Sequence, residues 1–166
     1  MMNRHLKTLL FCFFVIGINA GNSYAVFRLN VESLEGEDAI DFGRLKAMED
    51  GGTPIPVTES KRVRLNVTTD LNQPYIVSQM VDREPVNTRG VPTPLSAFRV
   101  FATLNRGSGT NRMPNRIPLS TGETQIYLSD SAGEEAEMIL QYDIEVPPFQ
   151  RAGNYRTSIT YRIVTV

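Results

Sequence analysis

From Met138 to Val146 the chain alternates apolar and polar side chains with a period of two, and a second run from Tyr155 to Ile163 does the same. Met138, Leu140, Tyr142, Ile144 and Val146 share one face of the first run, opposite Ile139, Gln141, Asp143 and Glu145. In the second, Tyr155, Thr157, Ile159, Tyr161 and Ile163 oppose Arg156, Ser158, Thr160 and Arg162. A period of two is the signature of a strand with one buried and one wet face, whereas a helix would scatter the same residues around its axis. Pro147-Pro148 cannot donate to a ladder and ends the first run, and Ala152-Gly153-Asn154 turns the chain. The two runs are therefore expected to pair as an antiparallel hairpin.

Earlier segments carry the same pattern over shorter lengths: Phe27 to Val31, Val63 to Val67, Tyr75 to Val81, Phe98 to Leu104 and Ile126 to Leu128, with a further apolar stretch from Ile40 to Leu45 around Gly43. Turn-forming residues cluster between them, at Glu49 to Pro54, Val91 to Pro94, Asn105 to Pro118 and Ser129 to Gly133. No long amphipathic helix is indicated, and helical turns are expected only at Gly43 to Glu49 and Ala132 to Glu137. Short strands at this spacing predict an all-β fold, an immunoglobulin-like antiparallel β-sandwich of about seven to eight strands.

The first residues follow another plan. Arg4, His5 and Lys7 precede an apolar run from Leu9 to Ile18, and small and polar residues end at Ser23-Tyr24-Ala25. This is the layout of a secretory signal peptide, so residues 1–25 are read as a cleaved leader and residues 26–166 as a single domain. The apolar run is half the roughly 20 residues that span a bilayer core, which makes a retained membrane helix the weaker reading. Cys12 follows Phe11, without the small residue that precedes a lipid-modified cysteine, and no lipid anchor is expected. Removing Arg4 and Lys7 leaves fifteen basic against eighteen acidic groups, a net charge of −3 that predicts no nucleic-acid partner.

His5 and Cys12 are the only histidine and cysteine in the chain, and both lie in the leader. The mature part thus lacks the imidazole and thiol of nucleophilic catalysis and of the common zinc, copper and haem sites, so neither enzymatic activity nor a cofactor is expected. Carboxylates remain. Glu35, Glu37, Asp38 and Asp41, or Asp130, Glu134, Glu135 and Glu137, are candidates for calcium, but neither set has the spacing of a calcium loop, and acids in turns are most often solvated. Two carboxylates without an aromatic sugar platform make a poor case for a glycosidase. Gly107-Ser108-Gly109-Thr110, flanked by Arg106, Arg112 and Arg116, is a candidate contact for an anionic glycan or phosphate; a solvated hairpin loop is the simpler account. Asn66-Val67-Thr68 matches a glycosylation acceptor but falls within an expected strand.

The segments Ile117-Pro118-Leu119-Ser120-Thr121-Gly122, Ile126-Tyr127-Leu128-Ser129-Asp130 and Ala152-Gly153-Asn154-Tyr155-Arg156-Thr157 resemble those of bacterial pilin-like surface domains, whose last strand opens with a Gly-x-Tyr step. Ile40-Asp41-Phe42-Gly43 resembles the Phe-Gly step near the first strand of fimbrial subunits and spore-coat-U-like proteins. The chain departs from fimbrial subunits in lacking their early disulfide. The resemblance implies a structural or adhesive component of a bacterial periplasm, cell surface or fimbrium. It also implies self-assembly with like subunits by donor-strand exchange, a periplasmic chaperone and an outer-membrane assembly platform. Phe27, Leu29, Val31 and Leu34 are then candidate donor-strand residues; alternatively they form the domain's own first strand. The competing expectation is a monomeric exported module that binds a glycan or protein through loops such as Asn105 to Pro118.

Overall fold

The structure is a computed structural model, and it describes residues 25–35, 40, 42, 58–145, 151 and 153–166. Among these residues the strands are β1 (Phe27–Ser33), β2 (Thr58–Thr69), β3 (Tyr75–Val81), β4 (Phe98–Arg106), β5 (Thr110–Asn111), β6 (Ile117–Pro118), β7 (Gly122–Leu128), β8 (Ala136–Glu145) and β9 (Ile159–Thr165). One sheet has the order β1-β2-β8-β4-β6 and the other β5-β7-β3-β9, with antiparallel ladders throughout. The fold is an all-β sandwich.

Alternation builds its core directly. Val63, Leu65 and Val67 of β2, Val100 and Ala102 of β4, and Met138, Leu140, Tyr142 and Ile144 of β8 are each at most 3% exposed. Across from them lie Tyr75, Val77 and Val81 of β3 and Ile126 of β7, also buried. Burying one such aliphatic or aromatic side chain stabilises the fold by about 1.5–3 kcal/mol relative to leaving it in water. Two polar groups enter this interior with their bonds made: the Tyr142 hydroxyl donates to Gln79 Oε1 at 2.6 Å and lies 2.7 Å from the Tyr161 hydroxyl.

That last contact corrects an expectation. The runs around Met138–Ile144 and Ile159–Ile163 are strands with the predicted inward faces, but they do not pair. β2 and β4 take both edges of β8, while β9 pairs with β3 in the opposite sheet. Tyr142 and Tyr161 therefore meet across the sandwich. Alternation says which face of a strand is buried and nothing about which strand lies beside it.

Smaller differences have local causes. The turn-rich stretch Asn105 to Pro118 contains β5 and β6, two-residue strands too short to show a period. The expected helical turn at Ala132 to Glu137 is a turn about Gly133 (φ +64°), after which β8 begins at Ala136. Of the Ile40 to Leu45 stretch, Ile40 and Phe42 are described and pack on the core, the Phe42 ring standing edge-on to Phe98 at 6.0 Å. The expected leader to residue 24, the carboxylates Glu37, Asp38 and Asp41, the expected helical turn at Gly43 to Glu49, the expected turn at Glu49 to Pro54 and Pro147-Pro148 lie outside the described residues.

Candidate functional site

On one side the chain itself stitches the two sheets together. After β4 it turns through Gly107 to Gly109, β5 pairs with β7 in the four-stranded sheet, and β6 returns to pair with β4. Within this crossing Ala102 N–H donates to the Met113 carbonyl at 2.7 Å, Asn111 Nδ2 to the Ala102 carbonyl at 2.7 Å, and Leu119 N–H to the Phe98 carbonyl at 2.9 Å. Met113 is 1% exposed. Arg116 ties the outside: its Nε lies 2.9 Å from Asp143 Oδ2 and its guanidinium carbon 5.4 Å from the centre of the Phe101 ring. The other Asp143 oxygen accepts from Ser60 Oγ (2.6 Å) and Gln141 Nε2 (2.8 Å), so this buried carboxylate is held from three directions.

The three candidate ligand arginines are consequently dispersed. Arg106 Nη2 is 3.5 Å from Glu135 Oε2, Arg116 is on Asp143, and Arg112 is exposed with its backbone N–H bound to the Ile126 carbonyl. Gly109 serves packing. Its N–H donates to the Tyr127 hydroxyl at 3.0 Å, and a Cβ there would strike the Leu128 carbonyl. Ser108 Oγ lies 2.7 Å from Asp130 Oδ2 and 3.1 Å from Glu134 Oε2, able to donate its one proton to either. The Ser108 hydroxyl and the backbone N–H groups of Glu134 and Gly133 hold Asp130 below the usual carboxylate range. Among the described residues no three acidic side chains converge as metal ligands. Asn66 sits mid-strand in β2, between Asn30 and Glu137.

The opposite side is only partly closed: β1 approaches β9 and the Phe27 ring stands edge-on to Tyr75 at 5.9 Å, but no strand is bonded between the two sheets among the described residues. β1 ends the five-stranded sheet and β9 the four-stranded one, so each presents a free edge among the described residues. Their inward side chains are incompletely covered: Phe27, Leu29, Ile159, Tyr161 and Ile163 are half-buried and Val31 is 41% exposed. One strand inward, the neighbours of Val31 and Leu29, Leu65 and Val67, are sealed. Burial pushes the phenols of Tyr142 and Tyr161 up.

The candidate donor residues Phe27, Leu29 and Val31 thus occupy their own sheet in register with Thr69, Val67 and Leu65, and the Leu34 N–H donates to the Arg62 carbonyl. Sequence reasoning did not single out Ile159, Tyr161 and Ile163 as lining an open side. Their alternation marked them as core, and only the strand order reveals that they lie at a margin. No family model matches the chain, and no curated protein matches it.

Proposed function

We propose that this chain is an exported, non-enzymatic structural component of a bacterial surface, a fimbrial-type subunit that joins like subunits by strand addition along its open side. The observation that carries this reading is the conjunction there of two strand edges that are free among the described residues with half-covered apolar side chains. A free edge is a template for another strand, and natural sheets shorten, bend or cover theirs when no partner is intended. β1 and β9 are each seven residues long and contain no proline. A strand added at this side bonds to the unpaired backbone groups and covers Val31 together with the inward face of β9. In this arrangement Phe27, Leu29 and Val31 line the accepting side.

The secretory leader and a mature chain without imidazole or thiol support a passive, extracytoplasmic role. An open side of this kind needs shielding before assembly, which is the part of a periplasmic chaperone and an outer-membrane platform. The test is the size of the exported chain by light scattering before and after heating. Species of two or more chains that dissociate on heating are expected, as is their loss on Val31→Asp combined with Ile163→Asp in a chain that stays folded by circular dichroism. A chain that is monomeric at every concentration overturns the reading.

A further inference from the structure

The free edge of β1 is complementary to itself. The β1–β2 ladder is bracketed by Asp70 N–H donating to the Val26 carbonyl and Leu34 N–H donating to the Arg62 carbonyl, so the even-numbered residues exchange bonds with β2. In an antiparallel ladder hydrogen-bonded and non-hydrogen-bonded positions alternate, which leaves the N–H and C=O groups of Phe27, Leu29, Val31 and Ser33 pointing out of the free edge. When β1 is laid antiparallel on a second β1 with Asn30 opposite Asn30, those outward groups meet: Leu29 faces Val31 and Phe27 faces Ser33, twice over. On the outer face the same register sets Arg28 opposite Glu32, also twice.

Sliding the register by two residues either way places Arg28 or Glu32 opposite Asn30 and loses both charge pairs. Arg28 is exposed and has no ionic partner among the described residues, while Glu32 is 53% exposed even with Arg64 at 3.1 Å and can take a second cation. Val31, 41% exposed although it points inward, gains Leu29 of the other copy as cover. β9 offers no such match, because Arg162 is its only charged residue and no register of its own antiparallel pairing makes an ion pair, while pairing about Arg162 sets guanidinium against guanidinium.

We infer that β1 pairs with β1 of a second copy across a twofold axis at Asn30, joining the two five-stranded sheets into one. This rests on reading the open side as an assembly interface and names its partner and register. A twofold contact uses the same patch on both copies, as self-complementarity requires.

Charge exchange between two variants tests the register. Arg28→Glu and Glu32→Arg each oppose like charges twice and should raise the dimer dissociation constant on the order of tenfold. Mixed together, the two variants restore both ion pairs and should form the heterodimer with near-parent affinity. Asn30→Cys in a Cys12→Ser background provides a second readout. The facing Cα atoms of a non-hydrogen-bonded pair are about 4.5 Å apart, within reach of a disulfide, so mild oxidation should link the copies at Asn30 and not in the matching Arg28→Cys chain. Dimers that ignore both charge variants and vanish with Ile163→Asp overturn this register while leaving the open side as an interface. A parent chain that never dimerises overturns both.

Discussion

Met113 and Val31 both point into the space between the sheets, yet Met113 is 1% exposed and Val31 is 41% exposed. The difference lies in what the chain does at each margin. Beside Met113 it crosses between sheets, and the crossing is bonded to both, at Arg112 to Ile126 and at Met113 and Asn111 to Ala102. Beside Val31 it ends each sheet on an edge strand and makes no crossing among the described residues. A sandwich can therefore be complete in its core and unequal at its rims, and the unequal rim is where a further strand has backbone groups to bond and apolar surface to cover.

The largest effect is expected at the stitched side. Met113→Ala removes a buried side chain from a rim that cannot collapse without losing the Ala102–Met113 bond, and it should cost about 2–5 kcal/mol. Urea denaturation followed by circular dichroism checks this; a loss below about 1 kcal/mol would mean that the crossing is a loose loop. Tyr142→Phe comes next. It strips Gln79 Oε1 and the Tyr161 hydroxyl of a shared partner in the interior and should cost about 1–3 kcal/mol.

The same pair gives a pH dependence with a definite sign. Burial raises the Tyr142 and Tyr161 phenols above the ordinary value near 10, so folding favours the neutral form. Their contribution is complete below about pH 10 and is lost as pH rises above it, because the unfolded chain then releases protons that the folded chain retains. Denaturation midpoints should fall between pH 10 and 11.5, and less steeply in Tyr142→Phe. A flat profile over that range would place these hydroxyls in water. Arg116→Ala should cost less, about 1 kcal/mol or under, since the arginine is 59% exposed and solvent screens its pairing with Asp143. Thermal scans of the variant against the parent measure it.

Strand positions and inward faces were legible in the sequence because a period of two reports them residue by residue: β3 runs from Tyr75 to Val81 as its pattern indicates, and Met138, Leu140, Tyr142 and Ile144 are all buried. Partner choice was not legible. Pairing β8 with β9 rested on nearness in sequence, and the outcome depended on β2 and β4 competing for the edges of β8 over long range. Which residues would line an open side was not legible for the same reason, since Leu65 and Val31 look alike as alternating apolar residues and differ only in whether another strand lies beyond them. In the sequence Arg116 reads as a loop ligand contact because its partner, Asp143, is reached only after β6 has folded back on β4.

The smallest stability effect is expected at Val31, the most exposed of the inward-facing apolar residues of β1. Val31→Thr keeps a β-branched side chain in an edge strand and changes one methyl to a hydroxyl at a position already 41% exposed. The folded chain should lose no more than about 0.5 kcal/mol, as for ordinary surface substitutions. The same change at its neighbour Leu65, 0% exposed, would bury an unpartnered hydroxyl and leave a cavity, and should cost several times more. If the open side is a joining surface, Val31→Thr separates two properties that move together everywhere else in the core. Denaturation midpoints stay put while the dimer dissociation constant, measured by sedimentation, rises. Equal losses at Val31 and Leu65 would instead mean that the β1 rim is sealed in solution, and the two sides of the sandwich would no longer differ.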